Sequence, residues 1–415
     1  MKVTFIIPCR NNIKYLKQAV YSIEEHYGSD HDIIILDDAS NDGTWGWITK
    51  NLKNKDNIQT YRNDSSDRIG HTVLYDIGIS MAKTEIVTIL HSDMVVTKNY
   101  VKNLLKHLKK GVIVSGTRIE PPLHPPGPEK LVKNFGFEPE EFLNNKNLFN
   151  QYVIENEEIS NNEITNGIFA PWMLYKEDFI SVGGHDKLFA PMELEDSDIF
   201  NRFVMAGYVL IQSRDAFVYH MTCRGSRFKD GIEIEAEIPL SDGTIWYKPK
   251  DSDEYKQLRN QKIREWWRKW HCNVLHDKLM MPIVPIVYKT YFIVKNCNEE
   301  LIKILEPLCD KMFVDCSYEY YINNEKKNTM YDLSNKIHGI DDLSDDFHIR
   351  LLIDGHTISN NNFNDVIMKL PFIVEESGET NGKFSVDAFE LEIKLPDNFT
   401  SIVPIKPVFS NVFIE

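Results

Sequence analysis

Apolar residues fall into two rhythms along the first part of the chain. Short unbroken runs occur at Val3–Cys9 (VTFIIPC), Asp32–Asp38 (DIIILDD), EIVTIL from Glu85, and Val112–Thr117 (VIVSGT). Their length and β-branching predict strands buried on both faces. Between them apolar residues return every three or four positions. Ile13, Leu16, Ala19, Val20 and Ile23 form one such face, with Asn11 or Asn12 able to cap its start. Val101, Leu104, Leu105 and Leu108 form another, stopped by Gly111. TWGWITKNL and HTVLYDIGISMA read as further helices and IQTYRN as a strand. Strands alternating with helices predict an α/β fold built on a mostly parallel sheet.

From Arg118 the rhythm breaks. RIEPPLHPPGPEK is proline-rich and reads as a loop, and an acidic, asparagine-rich stretch follows to about Asn162. GIFAPWMLY, YVLIQS and AFVYH then read as strands, and KEDFISVGG and LEDSDIFNRFVMAG as helices. Residues 229–254 are polar and turn-rich. EYKQLRNQKIREWWRKWHCNV predicts a long basic helix carrying Trp266, Trp267 and Trp270. Its tryptophans can pack on the first domain, or the helix can meet a membrane surface or a nucleic acid. After Met281 a strand–helix–strand pattern restarts (IVYKTYFIVKN, NEELIKILEPLCD, KMFVDC), followed by a strand-rich tail. The expected division is a domain over 1–228, a linker with the tryptophan helix over 229–281, and a small α/β or α+β domain over 282–415. That last domain shows no catalytic constellation and no convincing repeat.

The formal charge of −15 argues against a general nucleic-acid surface, which needs cations to neutralise phosphates. With 42% hydrophobic and 11% aromatic residues the chain is of globular composition. No apolar segment approaches the roughly 20 residues of a membrane helix. MKVTFIIPCRNN turns polar too soon for a signal peptide, and the six scattered cysteines include no CxxC pair. Reduced thiols in the cytoplasm, a host's cytoplasm if the protein is viral, are therefore expected.

Four polar clusters stand where predicted elements begin or end: Asp37-Asp38, His91-Ser92-Asp93, Glu195-Asp196-Ser197-Asp198, and His220. In an open parallel sheet such ends face the ligand crevice. Aspartate and neutral histidine suit a divalent cation such as Mn²⁺ or Mg²⁺, and the absence of cysteine from the clusters disfavours structural zinc. Neither GxxxxGK[ST] nor GxGxxG is present. Taken singly, each cluster reads equally as a turn former, a helix start or a structural histidine.

Taken in order, IIPCRNN, LDDASNDGTWG, TILHSDM, GGHDKLFAPMELEDSDIFNRFVMAG and VYHMTCRGS resemble the family-2 glycosyltransferases of GT-A fold, over about residues 1–228. HSDM and TRIEPPLHPPGPEK are similar to glycosyltransferase-like proteins of tailed bacteriophages. The resemblance implies a GT-A-type, Rossmann-like mixed sheet flanked by helices, and a nucleotide-diphosphate sugar donor, by preference a UDP-sugar. It implies that Pro8, Arg10 and Asn11 line the base pocket and that Asp37 or Asp38 accepts a ring N–H. Asp42, Gly43 and Thr44 then shape the turn, and Arg68 meets base or phosphate. HSDM stands at the Asp-x-Asp signature. Asp93 matches its metal-binding aspartate, His91 replaces the ribose-facing one beside Ser92, and His220 matches a later metal-ligating histidine. Asp196, with Glu195 as rival, is the expected base of an inverting displacement, and Asp198 caps the helix or orients the acceptor. Trp172 is expected to stack on a sugar, Gly183 and Gly184 to give a flexible acceptor loop, and Arg224, Ser226 and Arg227 to clamp the diphosphate. The acceptor is left open among a glycan, a protein and a modified nucleic acid, and the C-terminal domain could support an oligomer. Two alternatives stand beside this reading: a GT-A-fold binding protein without turnover, and a nucleotidyltransferase.

Overall fold

The computed structural model describes all residues except 66, 223–231, 241–242, 411 and 414–415. Its strands are β1 (Val3–Cys9), β2 (Asp32–Asp37), β3 (Ile58–Arg62), β4 (Ile86–Ile89), β5 (Met94–Val96), β6 (Val112–Glu120), β7 (Lys130–Val132), β8 (Ile164–Asn166), β9 (Trp172–Tyr175), β10 (Val209–His220), β11 (Ile234–Pro239), β12 (Ile245–Pro249), β13 (Thr290–Lys295), β14 (Lys311–Val314), β15 (Ile337–Gly339), β16 (Ile349–Asp354), β17 (Asn381–Val386) and β18 (Phe389–Lys394). Its helices are α1 (Ile13–Tyr27), α2 (Thr44–Asn51), α3 (Gly70–Met81), α4 (Tyr100–Leu105), α5 (Pro139–Ile159), α6 (Lys176–Ser181), α7 (Glu195–Met205), α8 (Asp253–Trp270), α9 (Glu299–Leu305), α10 (Glu319–Glu325), α11 (Asn360–Asp365) and α12 (Leu370–Ser377).

In the main sheet the described strands run in the order β3-β2-β1-β4-β9-β6-β10-β5, with β7 beside β6 and β8 beside β10. The first four are parallel; β9 runs antiparallel between β4 and β6, and β5 antiparallel to β10. Both faces are buried, which is why these strands lack polar alternation. Phe5, Ile7, Ile33 and Ile35 join a cluster with Leu16, Val20 and Leu104, while Ile6, Ile34 and Leu36 face Leu74, Ile79, Phe179 and Phe203. This is the expected mixed, mostly parallel α/β sheet.

Three stretches differ from expectation. β6 runs on through Arg118-Ile119-Glu120 and β7 returns beside it, so the proline-rich loop is closed at its base. The acidic stretch contains the helix α5, which buries Phe142, Phe149 and Val153 at one-face spacing. The turn-rich stretch contains the hairpin β11–β12.

The chain divides into two units. The first comprises residues 1–257, 276–282 and 405–415, and the second 258–275 and 283–404. The second unit's main segment starts one residue from the expected 282, but the first unit runs past 228 to 257 and also takes in 276–282 and 405–415. In the first unit, buried Asp186 accepts from the Val408 and Phe409 N–H groups at 2.7 and 3.1 Å, and Phe409 O accepts from Lys187 N at 2.9 Å.

The second unit has a separate sheet, β15-β14-β13-β16-β18-β17, whose first four strands are parallel. Helical residues such as Ile302, Leu305, Tyr321 and Val374 cover one face through a single core. Most of α8 belongs to this unit. Trp266 and Trp270 are buried and stack at 5.5 Å, and Arg268 bonds Glu306 at 2.7 and 3.0 Å. Trp267 packs against the core of this unit, and Arg264 and Arg268 of the basic helix pair with Glu306 and Glu325.

Candidate active site

The site forms at the carboxyl end of β4. Leu90 ends the apolar run, His91-Ser92-Asp93 turns the chain, and β5 starts at Met94. β5 pairs with the end of β10 so that His220 lies opposite Met94, and Met221 N bonds Asp93 O at 3.1 Å. Register thus brings His220 to Asp93 across more than a hundred residues. The His220 Nε2–Asp93 Oδ1 distance is 3.4 Å, and the His91 and His220 rings lie 5.5 Å apart. One ligand atom from each of His91, Asp93 and His220 falls within 4.8 Å of the others. Burial, aided by His220, lowers His91 to about 3 and leaves it a neutral donor. For His220, burial opposes the proton, but Asp93 and Glu120 outweigh it and raise the pKa. Expected as a ribose-facing residue, His91 stands instead with the possible ligands.

Around this cluster lie residues that the sequence did not single out. His220 Nδ1 bonds Glu120 Oε1 at 2.7 Å, and Glu120 is paired with Arg118 and Lys130. His71, on α3, bonds Glu195 Oε1 through Nε2 at 2.6 Å, and its ring lies 6.4 Å from that of His91. α7 starts after two residues in the left-handed region, Glu193 and Leu194, a conformation that non-glycine residues adopt at a cost and that often marks functional sites. It presents Glu195 and Asp196 in its first turn. Against burial, the His71 charge lowers the pKa of Glu195. Asp196 has no hydrogen-bond partner among the described residues; burial and then Glu195 push its pKa up to about 6.

Pro8, Arg10, Asp38, Arg68 and Ser92 line a cavity of about 100 Å³, together with Cys9, Asn12, His71, Leu74 and Met192. Asp38 accepts from the Ile69 and Gly70 N–H groups at 3.1 and 2.9 Å and holds the entry to α3. Gly70 is required there: its φ is +84°, and a Cβ would stand 2.0 Å from Pro191 O.

Other expected residues lie elsewhere. Asn11 is exposed, and its side chain accepts from Asn41 N at 2.8 Å; Asn12 takes the cavity position. Asp37 is fully buried and accepts from Ser40 N at 3.3 Å, outside the cavity lining. Trp172 is buried against Phe179, Phe200 and Phe203, so it offers no face for sugar stacking. Asp198 is buried in a 2.8 Å ion pair with Arg202, which removes it from acceptor binding. Gly184 is packed rather than flexible, since a Cβ would meet Asp76 Oδ2 at 2.5 Å and Phe413 at 2.7 Å. Arg224, Ser226 and Arg227 fall outside the described residues.

Carboxylates and imidazoles are thus gathered at the end of a parallel strand, where His91, Asp93 and His220 could hold a metal ion. Residues 4–166, all within the first unit, match the profile of Glycosyl transferase family 2. The match takes in His91 and Asp93 and ends before Glu195, Asp196 and His220. Solved structures similar to the chain include the mannosyltransferase PcManGT of Pyrobaculum calidifontis with GDP-Man and Mn²⁺ (18% identity, TM-score 0.38, 54% of this chain, 57% of that one). GalNAc-T7 with UDP, GalNAc and Mn²⁺ is similar at 14% identity and TM-score 0.41, over 53% of this chain and 43% of that one. S. aureus TarS 1–349 is similar at 16% identity and TM-score 0.36, over 53% and 60%. The chain thus spans about half of the structures it matches. No curated protein matches it.

Proposed function

We propose that the first unit transfers a sugar from a nucleoside diphosphate sugar, with uridine favoured over guanosine as the base, to an acceptor hydroxyl with inversion. One observation supports this above the others: Asp196, without a hydrogen-bond partner among the described residues and held near 6, adjoins Glu195, whose partner His71 neighbours the His91–Asp93–His220 cluster. Asp196 accepts the hydroxyl proton as the acceptor oxygen bonds the anomeric carbon, and the bond from that carbon to the diphosphate oxygen breaks as the nucleotide leaves. A general base is most effective near its working pH, which favours Asp196 over the pKa-lowered Glu195. Arg10, Asn12, Asp38 and Arg68 receive the nucleotide.

His91, Asp93 and His220 would hold a divalent cation. The fit is chemical: a neutral imidazole, a carboxylate, and a second imidazole whose Nδ1 is already engaged. Two nitrogen ligands favour Mn²⁺ over Mg²⁺, which is bound mostly through oxygen. When bound, the ion neutralises charge on the departing diphosphate. For the acceptor, a glycan or a protein is favoured over a nucleic acid, because Arg264 and Arg268 of α8 are already paired with glutamates and the chain carries a net charge of −15.

The test is release of nucleoside diphosphate from UDP- and GDP-sugars with Mn²⁺ or EDTA. Mn²⁺-dependent release that Asp93→Asn abolishes is expected. Release of equal rate in EDTA, or none from any nucleotide sugar, would overturn the reading.

A further inference from the structure

Glu120 has no part in the reaction described above, yet it is one of the most enclosed carboxylates in the first unit, 1% exposed. It ends β6, where the parallel pairing of Ile119 with Tyr219 sets the next residues, Glu120 and His220, side by side. The carboxylate can only accept, so His220 donates from Nδ1 across 2.7 Å and leaves the Nε2 lone pair toward Asp93, 3.4 Å away. The carboxylate is itself fixed: Arg118 Nε lies 3.2 Å from Oε1 and Lys130 Nζ 3.1 Å from Oε2. Glu129 balances the two cations at 3.0 and 3.4 Å, and the Arg118 guanidinium rests on the Phe169 ring at 4.2 Å. Lys130 reaches this place because β7 pairs with β6, Arg118 opposite Lys130. The proline-rich loop between them thus has a structural consequence, returning a cation to Glu120. Burying a charge is costly unless it is paired, and here Arg118, Lys130 and His220 all meet the one carboxylate.

We infer that Glu120 is a positioning residue for the cation site: it fixes the tautomer and ring orientation of His220, and the Arg118–Lys130 pair fixes Glu120. The inference rests on the proposed cation site. A carboxylate behind a metal-ligating histidine typically changes affinity by about 10–100-fold when removed.

The experiment titrates Mn²⁺ alone, without donor, into wild type, Glu120→Gln, His220→Ala and the double variant, and follows free Mn²⁺ by electron paramagnetic resonance. Glu120→Gln should weaken Mn²⁺ binding by about 10–100-fold. In the His220→Ala background the same change should have little further effect, because Glu120 acts through that ring. Wild-type affinity in Glu120→Gln, or an equal loss in both backgrounds, would overturn the inference. Failure of wild type to bind Mn²⁺ at all would overturn the proposed cation site and the inference with it. A measurement that needs no variant is the ¹⁵N spectrum of the His220 ring in the metal-free protein at high pH. The Nδ1–H tautomer is expected there, and the Nε2–H tautomer would refute the assignment even if Glu120→Gln failed to fold.

Discussion

The two sheets contain the same parallel frame. β3-β2-β1-β4 in the first unit and β15-β14-β13-β16 in the second share one order, with the third-from-edge strand first in sequence and the fourth last. Both place acidic residues where the parallel strands end. In the second unit these groups are fully engaged in the open: Asp315 accepts from the Asn296 and Cys297 N–H groups at 2.7 and 2.9 Å, and Asp354 from the Asn296 side chain and His356 N at 2.9 and 3.0 Å. Backbone donors lower Asp315, and the Asn296 side chain lowers Asp354. In the first unit Asp196, in the first turn of α7 rather than at a strand end, is half-buried, has no hydrogen-bond partner among the described residues and is raised. The frame is therefore not what separates a candidate catalytic edge from an inert one. The difference lies in whether carboxylates at the edge are satisfied in solvent or left wanting in a cleft.

The largest effect expected from breaking this contrast is at Asp196. Asp196→Asn should lower transfer by about 10²–10⁴ with donor binding kept. Asp93→Asn should instead weaken Mn²⁺ and donor binding together. If Glu195→Gln is dead in a transfer assay while Asp196→Asn keeps its rate, the base is Glu195 and His71 has been misread.

A chain ending at Pro404 should come next. It leaves Asp186 without the Val408 and Phe409 N–H groups and removes Phe413 from Phe179 and Gly184. Asp186 keeps its bond from Leu188 N at 3.1 Å but loses two others, and a hydrogen bond to a charged group contributes about 1.5–3 kcal/mol, so the first unit should melt earlier while the second is unaffected. Equal melting of the truncated and full chains, by calorimetry, would contradict this.

The pH response should be gentler. Transfer should fall as pH drops below about 6, where Asp196 takes its proton. Because that carboxyl titrates above the ordinary aspartate value of about 3.9 when folded, its contribution to stability is complete at lower pH and is lost as pH rises through about 6. Asp196→Asn, which cannot ionise, should therefore melt higher than wild type at pH 8 and not at pH 4. The smallest effect is expected at the inert edge: Asp315→Asn and Asp354→Asn should leave transfer unchanged, and a loss there would mean that the second sheet edge is not inert.

Much of the frame was legible because strands buried on both faces are written as unbroken apolar runs, as in VTFIIPC and DIIILDD. His91, Asp93 and His220 were legible as residues at strand ends, although not that all three come within reach of one ion. His71 was hidden inside HTVLYDIGISMA, where it looks like any helical polar residue, and its partner Glu195 arrives 124 positions later. Glu120 was masked by the prolines after it. Its signal was the i, i+2 spacing of Arg118 and Glu120, which puts two opposite charges on one face of a strand. The helix α5 was also discoverable, from Phe142, Phe149 and Val153 at helical intervals, but its polar majority obscured them. Trp172 misled for the opposite reason: residue type suggested a sugar platform, and burial decided otherwise.

Asp186 accepts from a segment more than two hundred residues downstream, and this gives the molecule a timetable. During synthesis, Gly183–Lys187 emerges early, while its partners at 405–413 leave the ribosome only after the second unit has been made. Until then the segment leading to Asp196 lacks its outer support. The bonds from Val408 and Phe409 to Asp186 can thus form only after the second unit has emerged, so this part of the first unit is assembled late.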